Sequence, residues 1–388
     1  MSRPDDDATT ALRAAWSDYA RLNDELMTVA LGTGDLDEGS AAALLRRLVG
    51  HLAFSALQLH GDPARPELVN TQYSPWNWGH SNPDTLYLSA KVDDAHDYRV
   101  SGVLGSASAT TFGMYTGMAD QSSAVKVLAD DLDIGPDGEF ELFFTRERHE
   151  GNWFELPRGA TSFASYQTFG DWESQRRGTI RLECLTDPAP ASPATLDEAL
   201  AAFRAHLEDS RSLFTMWVRD IPAGVFGALP RNAAIPPMQP PSAMAGTWFS
   251  PIPWELGTDE ALVIEYDVPD RSPYLGLCLT NRWSEMIDVA DRQTSLNLAQ
   301  SQVVDGRVRV LLSTQDHGVH NWLDARGYRS GIATWRVTRA EAPPGPTVTV
   351  ISTSEVDDWF DPAQRVSEAE RSAALARRRR HFAARNTP

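Results

Sequence analysis

Lysine is nearly missing from this chain. Only Lys91 and Lys126 occur in 388 residues, so almost all positive charge is arginine, and Schiff-base chemistry has two candidate side chains. Cysteine is equally scarce. Cys184 and Cys278 lie in apolar, strand-like runs without CxxC spacing, which argues against a zinc ribbon or redox pair and reads each as a small buried hydrophobe. No apolar run approaches the roughly 18 residues of a membrane span. The N-terminal MSRPDDDATT is acidic and has no apolar signal-peptide core, so a cytoplasmic protein is the expectation. Positive charge is in deficit as a whole: 35 Lys and Arg minus 53 Asp and Glu gives −18, which argues against nucleic-acid or membrane partners. Four common signatures are also missing: the GxxxxGKS/T loop, GxGxxG after a strand, HExxH and the GxSxG elbow. With no haem motif either, no organic cofactor is expected.

What is present is ample core material. The hydrophobic fraction is 42% and there are 12 tryptophans. At about 150 residues per domain the length suggests two or three units. Strand-like runs cluster in two sets. The first comprises 98–104, 110–115, 124–128, 139–145, 162–169 and 178–185. The second comprises 261–267, 274–281, 294–304, 307–313, 332–339 and 347–352. Gly135-Pro136-Asp137-Gly138 and Asp305-Gly306 are turn signals. Helical spacing marks 10–31, where Leu12, Trp16, Tyr19, Leu22 and Met27 form an apolar side, and 40–59, with Ser40 as N-cap. Further helices are expected over 195–218 and 361–385. His51 and His60 read as capping or surface residues, and His206 as polar-face. The expected fold is mainly β with flanking helices: two antiparallel β-sandwich, jelly-roll-like lobes at 65–190 and 245–355. N-terminal helices occupy 1–64, a helix and proline-rich connector 191–244, and a C-terminal helix 356–388.

Two stretches concentrate chemistry. In 68–90, Trp76 and Trp78 offer flat apolar faces beside His80, Asn82, Asp84 and Tyr87, on a loop stiffened by Pro75 and Pro83. Asp84 suits a general acid or base, with Asn82 and Tyr87 orienting a substrate oxygen. An Asx-turn in which Asp84 bonds nearby amides is the alternative. In 316–336, Asn321, Trp322, Asp324 and Arg336 crowd a glycine-broken segment between strands. Asp324 there either serves a site or pairs with Arg326, Arg329 or Arg336.

Asn321–Arg336, NWLDARGYRSGIATWR, resembles the signature of the domain-of-unknown-function 1214 family. LTNRWSEM at 279–286 and RQTSLN at 292–297 resemble that family's preceding segments. Asn82–Tyr87 resembles the N-x-DT-x-Y element of the related domain-of-unknown-function 1254 family. The resemblance covers most of the chain and implies a fold more than a reaction. Asp316, His317 and His320 have metal-ligand chemistry. The resembling family usually carries proline at both histidine positions, so no metal site is expected.

A cofactor-independent enzyme remains, a hydrolase or lyase acting on a small oxygenated, glycosylated or polycyclic metabolite. Asp84, Tyr87 and Arg336 are its candidate catalytic residues. Trp76, Trp78, His80, Asn82, Asn321, Trp322, Asp324 and Arg282 are its candidate substrate contacts. The sharpest form of this reading has Asn82, Asp84 and Tyr87 meet Asn321, Trp322 and Arg336 in one pocket. A non-catalytic binder of carbohydrate or lipophilic metabolites and a structural or assembly protein stay open. A homo-oligomer is compatible with the sequence.

Overall fold

The computed structural model describes residues 4–34, 36–59, 61–71, 79–117, 125–186, 195–239 and 244–386. The first half supplies nine strands: β1 (Val69–Asn70), β2 (Thr85–Lys91), β3 (Tyr98–Val103), β4 (Ala109–Tyr115), β5 (Val125–Leu128), β6 (Glu139–Thr145), β7 (Trp153–Glu155), β8 (Ser162–Thr168) and β9 (Thr179–Cys184). The second half supplies β10 (Thr247–Glu255), β11 (Glu260–Asp267), β12 (Tyr274–Asn281), β13 (Ser295–Asn297), β14 (Val303–Val304), β15 (Arg307–Ser313), β16 (Trp322–Asp324), β17 (Ser330–Thr338) and β18 (Thr347–Ser352). They form four sheets, mostly antiparallel, so the mainly β class holds. The parallel pairs among the described strands are β6 with β7 and β15 with β16.

The two halves repeat one topology. β2-β8-β4-β5 and β7-β6-β3-β9 in the first half match β10-β17-β12-β13 and β16-β15-β11-β18 in the second. The repeat extends to side chains. Asn152 Nδ2 donates to the carbonyls of Asp133 and Glu141, and Trp153 Nε1 donates to Thr145 Oγ1 at 2.8 Å. Asn321 Nδ2 likewise donates to the carbonyls of Gln302 and Arg309, and Trp322 Nε1 to Ser313 Oγ at 2.9 Å. In both halves an Asn-Trp pair stitches a short parallel strand to the end of its neighbour.

Alternation explains the cores. Phe112, Met114 and Phe163 of one first-half sheet join Tyr98, Val100, Phe140, Leu142 and Phe144 of the other in one buried cluster. Leu275, Leu277, Trp335 and Val337 join Leu262, Ile264, Val308 and Val310 in the second half. Three helices lean on this second core: α1 (Pro4–Leu31) through Leu22, Leu26 and Ala30, α2 (Glu38–Leu59) through Ala43 and Leu44, and α3 (Leu196–Thr215) through Leu207 and Phe214.

Several local expectations are corrected. Leu12 and Trp16 are exposed, at 55% and 69%, because α1 uses its later turns for packing. α2 starts two residues before Ser40, and Asp37 Oδ1 accepts the Ser40 N–H at 2.7 Å, so Asp37 does the capping. His51 is buried, paired through Nε2 with the Ser210 carbonyl at 2.7 Å, and burial lowers its pKa to about 3. His206 is buried too, while His60 lies outside the described residues. The expected strand over 294–304 is broken by a 3-10 turn at Leu298–Gln300, capped by Asn297. α3 runs into a π turn at Met216–Asp220, followed by α4 (Ile221–Ala228). After a short α5 (Val356–Trp359), the last helix, α6, is Glu368–Asn386, with Ser367 and Glu370 forming a capping box.

Candidate functional site

Strand alternation gives the β2-β8-β4-β5 sheet a second, polar face. Cross-strand register puts Tyr87 beside Tyr166 and Thr111, and Ser89 in a row with Ala164, Gly113 and Lys126. The β10-β17-β12-β13 sheet has a polar face as well, with Arg336 between Phe249 and Gly276, and Cys278 beside Thr334 and Ser295. These faces meet across the halves. Arg336 Nη2 donates to the His80 carbonyl, and Cys278 Sγ lies 3.9 Å from the Ser81 carbonyl.

Asp84 sits at one end of this seam, 1% exposed. Trp172 Nε1 donates to Oδ1 at 2.6 Å, Asn297 Nδ2 to Oδ1 at 3.1 Å, and Tyr274 O–H to Oδ2 at 2.7 Å. The Asx-turn alternative is corrected in its detail. Asn82 makes the turn, its Oδ1 accepting the Asp84 N–H at 3.1 Å, which frees the Asp84 carboxylate for distant partners. The Tyr87 hydroxyl oxygen accepts the Asn82 N–H at 2.8 Å. Asn82 Nδ2 is buried without a partner among the described residues.

α6 closes this end through arginines seven apart. Arg371 donates to Asp316 and to Gln293 Oε1, Arg378 to the Val289 and Ser295 carbonyls, and Arg385 to the Pro83 carbonyl. Arg378 and Arg385 also stack over Trp172, 4.8 and 4.3 Å from its ring centre. Burial pulls both guanidiniums down to about 10, and the Asp84 charge pulls back the other way. Arg385 Nε and Nη1 have no hydrogen-bond partner among the described residues. The arginine run that sequence reading assigned to a solvated helix end therefore contains one buried member, Arg378.

The other candidate residues are placed as follows. His80 holds a left-handed φ of 46°, with its Nε2 3.1 Å from Ser284 Oγ. Burial, helped by Arg336, lowers its pKa to about 3, so the ring is neutral. Arg336 Nη1 contacts Cys278 Sγ at 2.7 Å, and burial keeps that thiol protonated against the pull of Arg336. Asn321 and Trp322 do not meet Asp84. Their polar atoms are taken by the strand-stitching bonds, and the Trp322 ring packs with Val263, Leu311 and Ile351 on another sheet. Asp324 pairs with Arg292 and Arg326, at 2.8 and 2.6 Å, and not with Arg329 or Arg336. These guanidiniums hold its carboxyl below the usual range, although burial, the largest single influence, opposes them. Arg282 reaches the Thr33 carbonyl at 3.0 Å, against the helices. Trp76 and Trp78 lie outside the described residues. Asp316 accepts from Gly318 and Arg371, His320 Nδ1 lies 3.0 Å from Asn321 Oδ1, and no metal-holding group of three occurs among the described residues.

Sequence reading missed Trp172, Tyr274, Asn297, Arg378 and Arg385, which converge on Asp84 from four separate segments. A usable signal existed in β12, where Tyr274, Gly276, Cys278 and Thr280 alternate with leucines. It also missed Tyr115 and Tyr166.

No protein-family profile matches the chain, and no curated protein does. Among solved structures, an uncharacterised protein from Burkholderia cenocepacia superposes with a TM-score of 0.80 at 25% identity, covering 89% of this chain and 99% of that one. A protein from Vibrio parahaemolyticus gives a TM-score of 0.44 at 9% identity, covering 79% of this chain and 98% of that one. The first match carries the mainly β architecture across nearly the whole chain. None of the described helices is long and apolar enough to cross a membrane.

Proposed function

We propose that the polar seam binds a small oxygenated anion and acts on it as a cofactor-independent enzyme of the hydrolase or lyase class. The observation that carries this is Arg336. It is buried, yet its hydrogen bonds go to a protonated thiol and a carbonyl, with no carboxylate among its described partners. A buried cation without a counter-ion is costly, and a substrate anion would relieve it. Tyr87 and Tyr166 are only part-buried, and burial leads the upward shift of both phenols. Protonated phenols beside a guanidinium suit proton donation to a developing oxyanion.

Within this reading Tyr87 gives the proton, Arg336 holds the charge, and Asp84 positions the Asn82 turn. Asp84 is a poor base because both its oxygens already accept hydrogen bonds. That same saturation favours the second reading, a non-catalytic binder of carbohydrate or another oxygenated metabolite. We also read each sheet pair as a β-sandwich and keep the resemblance to the domain-of-unknown-function 1214 family as a proposal. The two cysteines are free thiols, which fits a reducing, cytoplasmic setting.

The test is calorimetric titration with a panel of small carboxylates and phosphorylated sugars, followed by product analysis by mass spectrometry. Binding by the wild type that Arg336→Gln loses supports the site, and turnover then separates enzyme from binder. Equal binding by a correctly folded Arg336→Gln protein refutes it.

A further inference from the structure

Glu370, Ala374, Arg377 and His381 follow one another at helical spacing, so they form a stripe along one edge of α6. Together with the 3-10 turn at Leu298–Gln300 and the following Ser301 and Gln302, this stripe lines a cleft of about 560 Å³. Neither Arg336 nor Tyr87 lines it, so it is distinct from the seam, although it shares Trp172 and Arg378 with the Asp84 cluster. Three lining side chains, Gln293, Arg371 and Arg378, are each only 8% exposed. Arg371 is held by Asp316 and Gln293, and Arg378 by the Val289 and Ser295 carbonyls, so this inner wall is fixed. The outer lining is less committed. Of its carboxylates, Asp171 already accepts from the Glu173 N–H and the Ser174 hydroxyl, and Glu370 from the Ser367 N–H and hydroxyl. Of the three guanidiniums in the lining, Arg377 alone has no hydrogen bond or ion pair among the described residues. Gln300 uses its Oε1 on the Asn297 N–H, and Gln302 uses its Nε2 on the Ala363 carbonyl. That leaves one amide donor and one amide acceptor on the same wall.

We infer that this cleft is a second binding site, for an acidic sugar: a hydroxyl-rich ring that carries one carboxylate or phosphate. Arg377 and His381, one helical turn apart, take the acid group. Gln300 Nε2 donates to one ring oxygen, and Gln302 Oε1 accepts from a hydroxyl. Glu173, the lining carboxylate without a local cap to make, is a second acceptor for hydroxyls. Leu296 and Leu375 supply an apolar edge for the C–H face of the ring. The volume lies within the range of small-molecule sites, about 300–1,000 Å³. The inference stands on the cleft alone and does not rest on the seam.

The experiment is calorimetric titration of the whole chain with glucuronate, glucose 6-phosphate, glucose and inorganic phosphate. The expected result is binding of glucuronate or glucose 6-phosphate, with glucose weaker by about ten-fold or more. Whichever acid binds identifies the acid group. Arg377→Gln should weaken that binding by about ten-fold or more. Arg380→Gln removes the same charge from the same helix outside the cleft lining and should leave binding unchanged, as should Arg336→Gln. Arg377 and Arg380 are both exposed, so neither variant threatens the fold. Equal losses in Arg377→Gln and Arg380→Gln overturn the inference, as does no binding of either acid. Glucose binding as tightly as the acids overturns it, and so does inorganic phosphate binding as tightly as glucose 6-phosphate. Acid binding that Arg336→Gln abolishes and Arg377→Gln keeps overturns it and leaves the seam reading standing.

Discussion

Replacing Asp84 by Asn isolates the charge at the end of the seam. The amide has nearly the carboxylate's shape, so no cavity opens. Its oxygen can still accept from Trp172 and Asn297, the two donors at Oδ1. Its new N–H group can donate to the Tyr274 oxygen, and the Tyr274 hydrogen can turn to Asn82 Oδ1, 3.0 Å away. Most hydrogen bonds are therefore recoverable. What cannot be recovered is the negative charge facing buried Arg378 and Arg385. Removing one partner from a buried ionic group costs about 3–5 kcal/mol. Asp84→Asn should lose that much in equilibrium urea unfolding, with an unchanged m-value. Tyr274→Phe deletes one hydrogen bond and keeps the charge, so it should lose about 1–3 kcal/mol. An Asp84→Asn loss below about 1 kcal/mol would show that these guanidiniums do not depend on Asp84, and the charge argument would fail.

Trp172→Phe keeps a ring under Arg378 and Arg385 but removes the N–H at Asp84, and should cost about 1–3 kcal/mol by the same assay. His51 and His80, both held neutral near a pKa of 3, should make stability fall below pH 6.5, where the unfolded chain takes up protons that the native one refuses. The slope should approach about 1.4 kcal/mol per pH unit for each histidine, and urea midpoints at pH 7.5 and 5 measure it. A flat profile would mean that neither ring is neutral for the stated reason. Asn321→Ala should destabilise by about 1–3 kcal/mol while leaving anion binding at the seam intact in titration. Lost binding in a folded Asn321→Ala protein would return that residue to the site.

The strands and their two groupings were readable because β6, β9 and β15 carry stretches that alternate apolar and polar residues. The reading followed only the apolar side of that alternation. Tyr87, Tyr115 and Tyr166 sit on the other side, which in an isolated sheet would face solvent. No single-strand pattern carries that information. The stretch at Asn82–Tyr87 was recognisable from its stiff, polar turn, while its partners were scattered over 213 positions, from Asp84 to Asn297. Residue density misled at Asn321 and Trp322. The same two side chains at Asn152 and Trp153 do the same local work, and comparing the halves would have exposed a folding role. The arginines of α6 were read as a run, whereas spacing by seven puts Arg371, Arg378 and Arg385 on one helical face.

The repeated topology has one more consequence. In a symmetric pair of identical subunits, a surface that packs on its own copy must be self-complementary, so each group placed on one side also appears on the other. Joining two like halves in one chain lifts that constraint. One side of the seam can specialise in phenols and an amine while the other carries a guanidinium and a thiol, and each can change without a matching change opposite. Chemical division of labour at the junction is what the fusion makes available, and it is gained without any new fold.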